Sequence, residues 1–202
     1  MDDLNIVIGG AAGEGIQTIG EVLAEAVSAL GYAVFTWQEN ESRIRGGLNR
    51  YSVRVSEKVV NAPTVDADIL LTLSQRAVDK YGHLLKPDGI LIAPVQRDER
   101  TIAMSLKDIA EQELGNAVYA NTIAVGALAA ALGMDLGVLK RVLARQFAAK
   151  GNEVVTANHL AAQKGYDFVQ VACQDICHWR LPGSSGRYYL LPANRTIPLA
   201  TV

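Results

Sequence analysis

Cysteine is almost missing from this chain. Its 202 residues hold only Cys173 and Cys177, which excludes the disulfide framework of a small secreted domain. Long apolar runs are missing too. The longest, Ile123 to Leu132, is about half of the ~20 residues that a bilayer span requires. Neither charge dominates: 19 Lys+Arg stand against 21 Asp+Glu, so there is no basic excess with which to coat a nucleic acid. The acidic opening Met1-Asp2-Asp3 runs into a strand-like segment and is not expected to be a signal peptide. A cytoplasmic, reducing compartment is the expectation, with no membrane and no nucleic acid as partner. No internal repeat is present. Ser184 and Ser185 lie in Gly183-Ser184-Ser185-Gly186, which is not a G-x-S-x-G elbow. His83 and His159 fall in helical contexts with no nucleophile motif nearby. Cys173-x-x-x-Cys177-His178 lacks the C-x₂-C spacing and any second ligand pair. No catalytic residue and no metal ligand are therefore assigned.

What is present is a half-hydrophobic chain, long enough to bury roughly 70% of its unfolded surface without a covalent staple. Leu4 to Ile8 is a β-branched apolar run stopping at Gly9-Gly10, as a buried strand entering a turn does. From Ile16 the apolar residues Ile19, Leu23, Ala26, Val27 and Leu30 recur at helical spacing, and Gly31 stands where a helix ends. Tyr32 to Trp37 reads as the second strand of a βαβ unit. Arg50 to Val55 alternates, with Tyr51, Val53 and Val55 on one face, which suggests an antiparallel strand near an edge. Ile69 to Leu73 reads as a central parallel strand, Gln75 to Leu85 as a helix, and Gly89 to Ala93 as a strand beyond the break Lys86-Pro87-Asp88. Val118-Tyr119 is expected to be a last short strand. Three helices follow: alanine-rich Ile123 to Leu132, one marked by Leu136, Leu139, Val142 and Leu143, and Asn152 to Lys164 closed by Gly165. The alanine-rich helix suits either a buried core or a subunit contact. Residues 170–202 read as linker or tail.

Two loops have the composition of a ligand site. Gly9-Gly10-Ala11-Ala12-Gly13-Glu14-Gly15 offers backbone N–H groups to an anion at a helix N-terminus. It departs from the Walker template, with Ile16-Gln17 where Lys-Ser/Thr belongs, and its glycines run G-x-x-G-x-G, the reverse of the Rossmann order. A tight strand-to-helix turn explains the same glycines by sterics alone. Glu39-Asn40-Glu41-Ser42-Arg43-Ile44-Arg45-Gly46-Gly47 is the second candidate. Its arginines can fork onto carboxylate or phosphate, or pair with the neighbouring glutamates in a solvated hairpin. Glu39 alternatively suits a ribose.

Ile6 to Gln17 resembles the opening of the gamma domain of 2-oxoacid:ferredoxin oxidoreductases. Glu41-Ser42-Arg43-Ile44-Arg45-Gly46-Gly47, with the strand that follows, resembles that family's second signature. Asp66 to Leu71, Asn121-Thr122, and Ala157-Asn158 through Tyr166 also fit, so the resemblance covers about residues 4 to 168. The wording is most similar to the form fused to the N-terminus of an alpha subunit. Leu190 to Ala200 is only a degraded echo of how an alpha domain then opens.

The resemblance implies a three-layer α/β/α fold with a mostly parallel, Rossmann-like sheet. It implies a gamma-type domain over 1–169, with a linker or a divergent or truncated C-terminal tail over 170–202. The implied activity is oxidative decarboxylation of a 2-oxoacid with coenzyme A, in anaerobic metabolism, with electrons passed to ferredoxin. Thiamine diphosphate, Mg and 4Fe-4S clusters are implied in partner domains, since clusters normally take four cysteines and no thiamine diphosphate motif occurs here. The chain alone is then not catalytic, and it works in an oligomer with alpha and beta subunits or domains. The expected cofactor-binding residues are Gly10, Gly13, Gly15, Arg43, Arg45, Gly46 and Gly47. Two other readings stay open: a non-enzymatic assembly scaffold, and a stand-alone dinucleotide-binding module with Gly10, Gly13 and Gly15 on the pyrophosphate and Glu39 on the ribose.

Overall fold

A computed structural model describes residues 3–41, 47–173, 176–188 and 190. The glycine-rich turn links β1 (Leu4–Ala11) to α1 (Ile16–Ala29), and α1 leads to β2 (Ala33–Glu39). Then come β3 (Leu48–Ser56), β4 (Ala67–Thr72), α2 (Gln75–Tyr81), β5 (Leu85–Ala93) and β6 (Thr101–Ala103). The remainder is helical: α3 (Leu106–Leu114), α4 (Ala120–Ala131), α5 (Leu136–Phe147) and α6 (Asn152–Ala172). The sheet order is β2-β3-β1-β4-β5-β6. β1, β4, β5 and β6 pair in parallel, whereas β3 is antiparallel to both β1 and β2. The sheet is mostly parallel, as expected, with helices on both faces.

Strand pleating divides the core. Ile6, Ile8, Val53, Val55, Ile69, Leu71, Ile90 and Ile92 face α1, α4, α5 and α6 in the larger cluster. Val7, Leu70 and Leu91 face Ala77, Val78 and Tyr81 of α2 in the smaller one. The alternation in β3 is borne out, with Tyr51, Val53 and Val55 on the α1 side. The alanine-rich helix is core: from Thr122 to Ala131 every residue of α4 is buried. That burial removes it as a subunit contact.

Several expected boundaries move. β3 stands between β1 and β2, so the first βαβ unit skips a strand. Val118-Tyr119 is no strand but part of a 3₁₀ turn, Ala117–Tyr119, capped by the Asn116 side chain. The sheet instead ends in β6, only three residues long, and α3 follows with just Leu106 and Ala110 buried. β5 begins at Leu85, before Pro87, so α2 is shorter than its periodicity predicts. Gly165 does not close the last helix. α6 runs on to Ala172, past the expected boundary at 169.

Residues 176–188, expected as linker or tail, lie against the domain. Leu181 is buried and its N–H bonds Leu132 O, Ser184 N–H bonds Leu30 O, and Tyr32 Oη donates to Pro182 O. A disulfide joins Cys173 to Cys177 at the end of α6, a local bridge and not a framework.

Candidate functional site

All the strands except β3 end on one side of the sheet, and the loops leaving them build the site. That carboxyl edge is where open α/β sheets take their ligands. Of the glycines expected there, Gly13 and Gly15 have φ of +90° and +82°, a left-handed conformation that L side chains rarely adopt. Gly15 also lacks room: a Cβ there would sit 2.0 Å from the Asn121 amide nitrogen. Gly10 has another reason, because the Glu14 carboxylate folds back over it and accepts the Ala11 N–H at 2.6 Å. Glu14 is thereby tied to its own loop.

A cavity of about 340 Å³ opens between these loops. Gly13, Glu14, Thr72, Leu73, Pro94 and Met104 wall it from the strand ends. Ser105 to Lys107 and Ala120-Asn121 wall it from the starts of α3 and α4. Three helices, α1, α3 and α4, thus begin at or beside the cavity. At α1 and α3 the N-cap makes no side-chain hydrogen bond, which leaves first-turn N–H groups for a ligand, whereas the Ala120 N–H that opens α4 is taken by Ala117 O. Thr72 is 1% exposed, and its hydroxyl has no hydrogen-bond partner. A buried polar group without a partner is costly, and this one belongs to a residue of the cavity wall. Lys107 is the cation on the wall, only loosely paired with Glu111 at 3.7 Å.

Sequence reasoning missed Thr72, Lys107 and Ser105, because two segments more than thirty residues apart, the end of β4 and the start of α3, bring them together. Asn121-Thr122 did carry a signal. The Asn121 side chain packs on Gly15, while Thr122 Oγ1 donates to Asn158 Oδ1 at 2.7 Å, tying α4 to α6.

The second motif meets the first. The Ala12 N–H bonds Gly47 O at 3.0 Å, and Leu48 pairs with Ala11. Glu41 closes the neck of this loop. Its carboxylate accepts the Leu48 N–H and lies 3.4 Å from the Lys80 ammonium, and its N–H bonds the Asn49 side chain. Tyr81 donates its hydroxyl to Leu48 O at 2.7 Å, with its ring against Gly9. Burial, with Glu39 nearby, pushes that phenol up to about 12. Arg43, Arg45 and Gly46 lie outside the described residues.

The dinucleotide alternative is not supported. In that arrangement the acid ending the second strand stands beside the glycine turn. Here β3 intervenes, moving Glu39 one strand further out, ~5 Å, and its carboxylate is paired with Arg50 at 2.5 Å.

Comparison with known proteins agrees with this geometry. A family model described as pyruvate ferredoxin/flavodoxin oxidoreductase matches residues 5–168. The 2-oxoglutarate synthase subunit KorC of Archaeoglobus fulgidus is 30% identical over 166 residues, 81% of this chain and 88% of that one. The keto/oxoacid ferredoxin oxidoreductase gamma subunit of Geobacter sulfurreducens superposes with a TM-score of 0.71 at 26% identity, covering 85% of this chain and 99% of that one. The 2-oxoglutarate:ferredoxin oxidoreductase of Magnetococcus marinus, solved with 2-oxoglutarate, coenzyme A and succinyl-CoA bound, shares the fold with a TM-score of 0.84 at 24% identity. That match covers 95% of this chain but only 35% of the longer one. The fold is thus shared with known relatives: the chain belongs to the pyruvate ferredoxin/flavodoxin oxidoreductase family and is homologous to the gamma subunits of 2-oxoacid:ferredoxin oxidoreductases.

Proposed function

We propose that this chain is the gamma component of a complex that oxidatively decarboxylates a 2-oxoacid with coenzyme A and passes the electrons to ferredoxin. The cavity at the carboxyl edge carries the reading, as the place for the anionic part of coenzyme A. Its helix N-termini, the Thr72 hydroxyl and Lys107 all favour an anion. A protein of the same fold holds coenzyme A. Arg43 and Arg45 add charge from the second motif, and Gly13, Gly15, Gly46 and Gly47 allow close backbone approach. Gly10 serves the turn itself.

The chain does not fit an iron–sulfur cluster. Its two cysteines are bonded to each other, and a cluster takes four thiolates. The clusters, thiamine diphosphate and Mg then belong to alpha and beta subunits or domains, and thiamine diphosphate supplies the carbanion chemistry there. This chain's part is to hold the co-substrate's anionic groups and shape the partner interface. No described helix is long and apolar enough to cross a membrane.

The test is calorimetric titration of the full chain with coenzyme A, beside the Michaelis constant for coenzyme A in the reconstituted complex. Lys107→Ala removes one charged contact, which is worth roughly 1.5–3 kcal/mol, so the constant should rise about ten- to a hundred-fold. Arg43→Ala and Arg45→Ala should raise it, or the constant for the 2-oxoacid. If all three variants assemble normally and both constants stay within about two-fold, the edge is a scaffold and this reading fails.

A further inference from the structure

Among the described residues the sheet has two edges, and they are protected differently. β6 is three residues long, too short to template another strand. β2 is seven residues long, Ala33-Val34-Phe35-Thr36-Trp37-Gln38-Glu39, and pairs with β3 without a register shift. It contains no proline, no bulge, and no charge before Glu39. Proteins ordinarily blunt such an edge with lysine, proline or a bulge, because its unpaired N–H and C=O groups recruit a further strand.

The face beside that edge, among the described residues, lies outside the α2 cluster. On the side of the sheet away from α1, Phe35 lies opposite Arg54 and Trp37 opposite Ser52. The Arg50 guanidinium stacks on the Trp37 ring at 4.9 Å. The apolar cluster under α2 on this side draws on β1, β4, β5 and only Leu48 of β3, and includes neither Phe35 nor Trp37. Phe35 and Trp37 are both only half-buried.

We propose that β2 is a homotypic docking edge on which a second copy of this chain pairs its own β2. The sequence of the strand selects that occupant. An antiparallel pairing with its two-fold axis at Thr36 uses all seven residues and sets Phe35 opposite Trp37 of the partner, twice. Aromatic cross-strand pairs stabilise a sheet, and like charges placed opposite each other destabilise it. Here Glu39 meets Ala33, Val34 meets Gln38, and Thr36 meets itself, so no like charges face each other. Such a contact is isologous and closes at two copies, joining the two sheets into one. It leaves the carboxyl-edge cavity of each copy untouched, since that cavity is walled from β1, β4, β5 and β6.

Sedimentation velocity of the full chain over a concentration series tests this. The unmodified chain should dimerise, and Phe35→Lys should weaken self-association roughly tenfold or more while the melting temperature shows the domain still folded. Register is read separately. Thr36→Cys should give an interchain disulfide on mild oxidation, because directly opposed antiparallel residues lie within disulfide reach. Phe35→Cys, displaced from the axis, should not. A monomer at every concentration would overturn the proposal, as would a dimer unmoved by Phe35→Lys or one that fails to cross-link at Thr36. A monomer whose Phe35→Lys variant loses binding to alpha or beta subunits would assign the edge to a companion subunit instead.

Discussion

Single atoms decide most of what happens at the carboxyl edge. Gly15 combines φ +82° with the Asn121 amide at the Cβ position. Gly15→Ala should therefore destabilise the fold by more than the ~1 kcal/mol that a glycine-to-alanine exchange yields in ordinary backbone, measured by denaturant unfolding. Thr72→Val should leave stability unchanged or raise it, because the buried hydroxyl it removes has no partner in the protein, yet it should weaken coenzyme A binding. A stability loss at Thr72 would mean the hydroxyl already serves the fold. Tyr81 gives the pH prediction. Its folded value, about 12, lies above the ordinary 10, so the neutral phenol favours the folded state. That contribution is intact below pH 10 and is lost as pH rises towards 12. Tyr32, Tyr51 and Tyr166 are also raised by burial and act in the same direction. Alkaline unfolding followed by phenolate absorbance should shift to higher pH in Tyr81→Phe, although that variant loses the bond to Leu48 O. The glycines were legible because a turn is a local matter. Thr72 and Lys107 were not, since what distinguishes them is that loops more than thirty residues apart meet around one cavity.

At the scale of elements, glycine shows how far a sequence can mislead. Gly165 reads as a helix terminator by propensity, yet it sits inside α6. Its Cβ position lies 2.0 Å from Ile123 O of α4, and the Cβ position of Gly126 lies 2.0 Å from Ala162 O. The two glycines let α4 and α6 pack backbone to backbone. Helix propensity alone predicts that Gly165→Ala would stabilise by roughly 1 kcal/mol; the packing predicts a loss of about 1–3 kcal/mol instead. Thermal or denaturant unfolding decides between the two signs. Strands in the centre of the sheet were legible because continuous burial leaves continuous apolar runs, as in Ala67–Thr72. β6 and α3 were not: three residues show no period, and a helix burying only Leu106 and Ala110 has almost no apolar stripe. The place of β3 between β1 and β2 was hidden for another reason. Its alternating pattern indicates an antiparallel strand but not which neighbours it pairs with.

Among the described residues the molecule is an α/β domain with a cavity at the carboxyl edge of its sheet, a β2 edge with no further strand paired to it, and a C-terminal stretch folded back on it. Its homologues are subunits of 2-oxoacid:ferredoxin oxidoreductases, and the division of labour follows from what each part contains. On the proposed function the cavity takes the anionic part of coenzyme A and, with only two cysteines in the chain, the redox and carbanion steps would fall to its companions. The most direct test is therefore reconstitution. Ferredoxin reduction would be measured with a 2-oxoacid, coenzyme A and thiamine diphosphate for this chain alone, for alpha and beta subunits alone, and for all three together. The account predicts no turnover by this chain alone and coenzyme A-dependent turnover only when it joins its companions, with Lys107→Ala raising the coenzyme A requirement. Turnover by the isolated chain, or full turnover by alpha and beta subunits without it, would contradict that account.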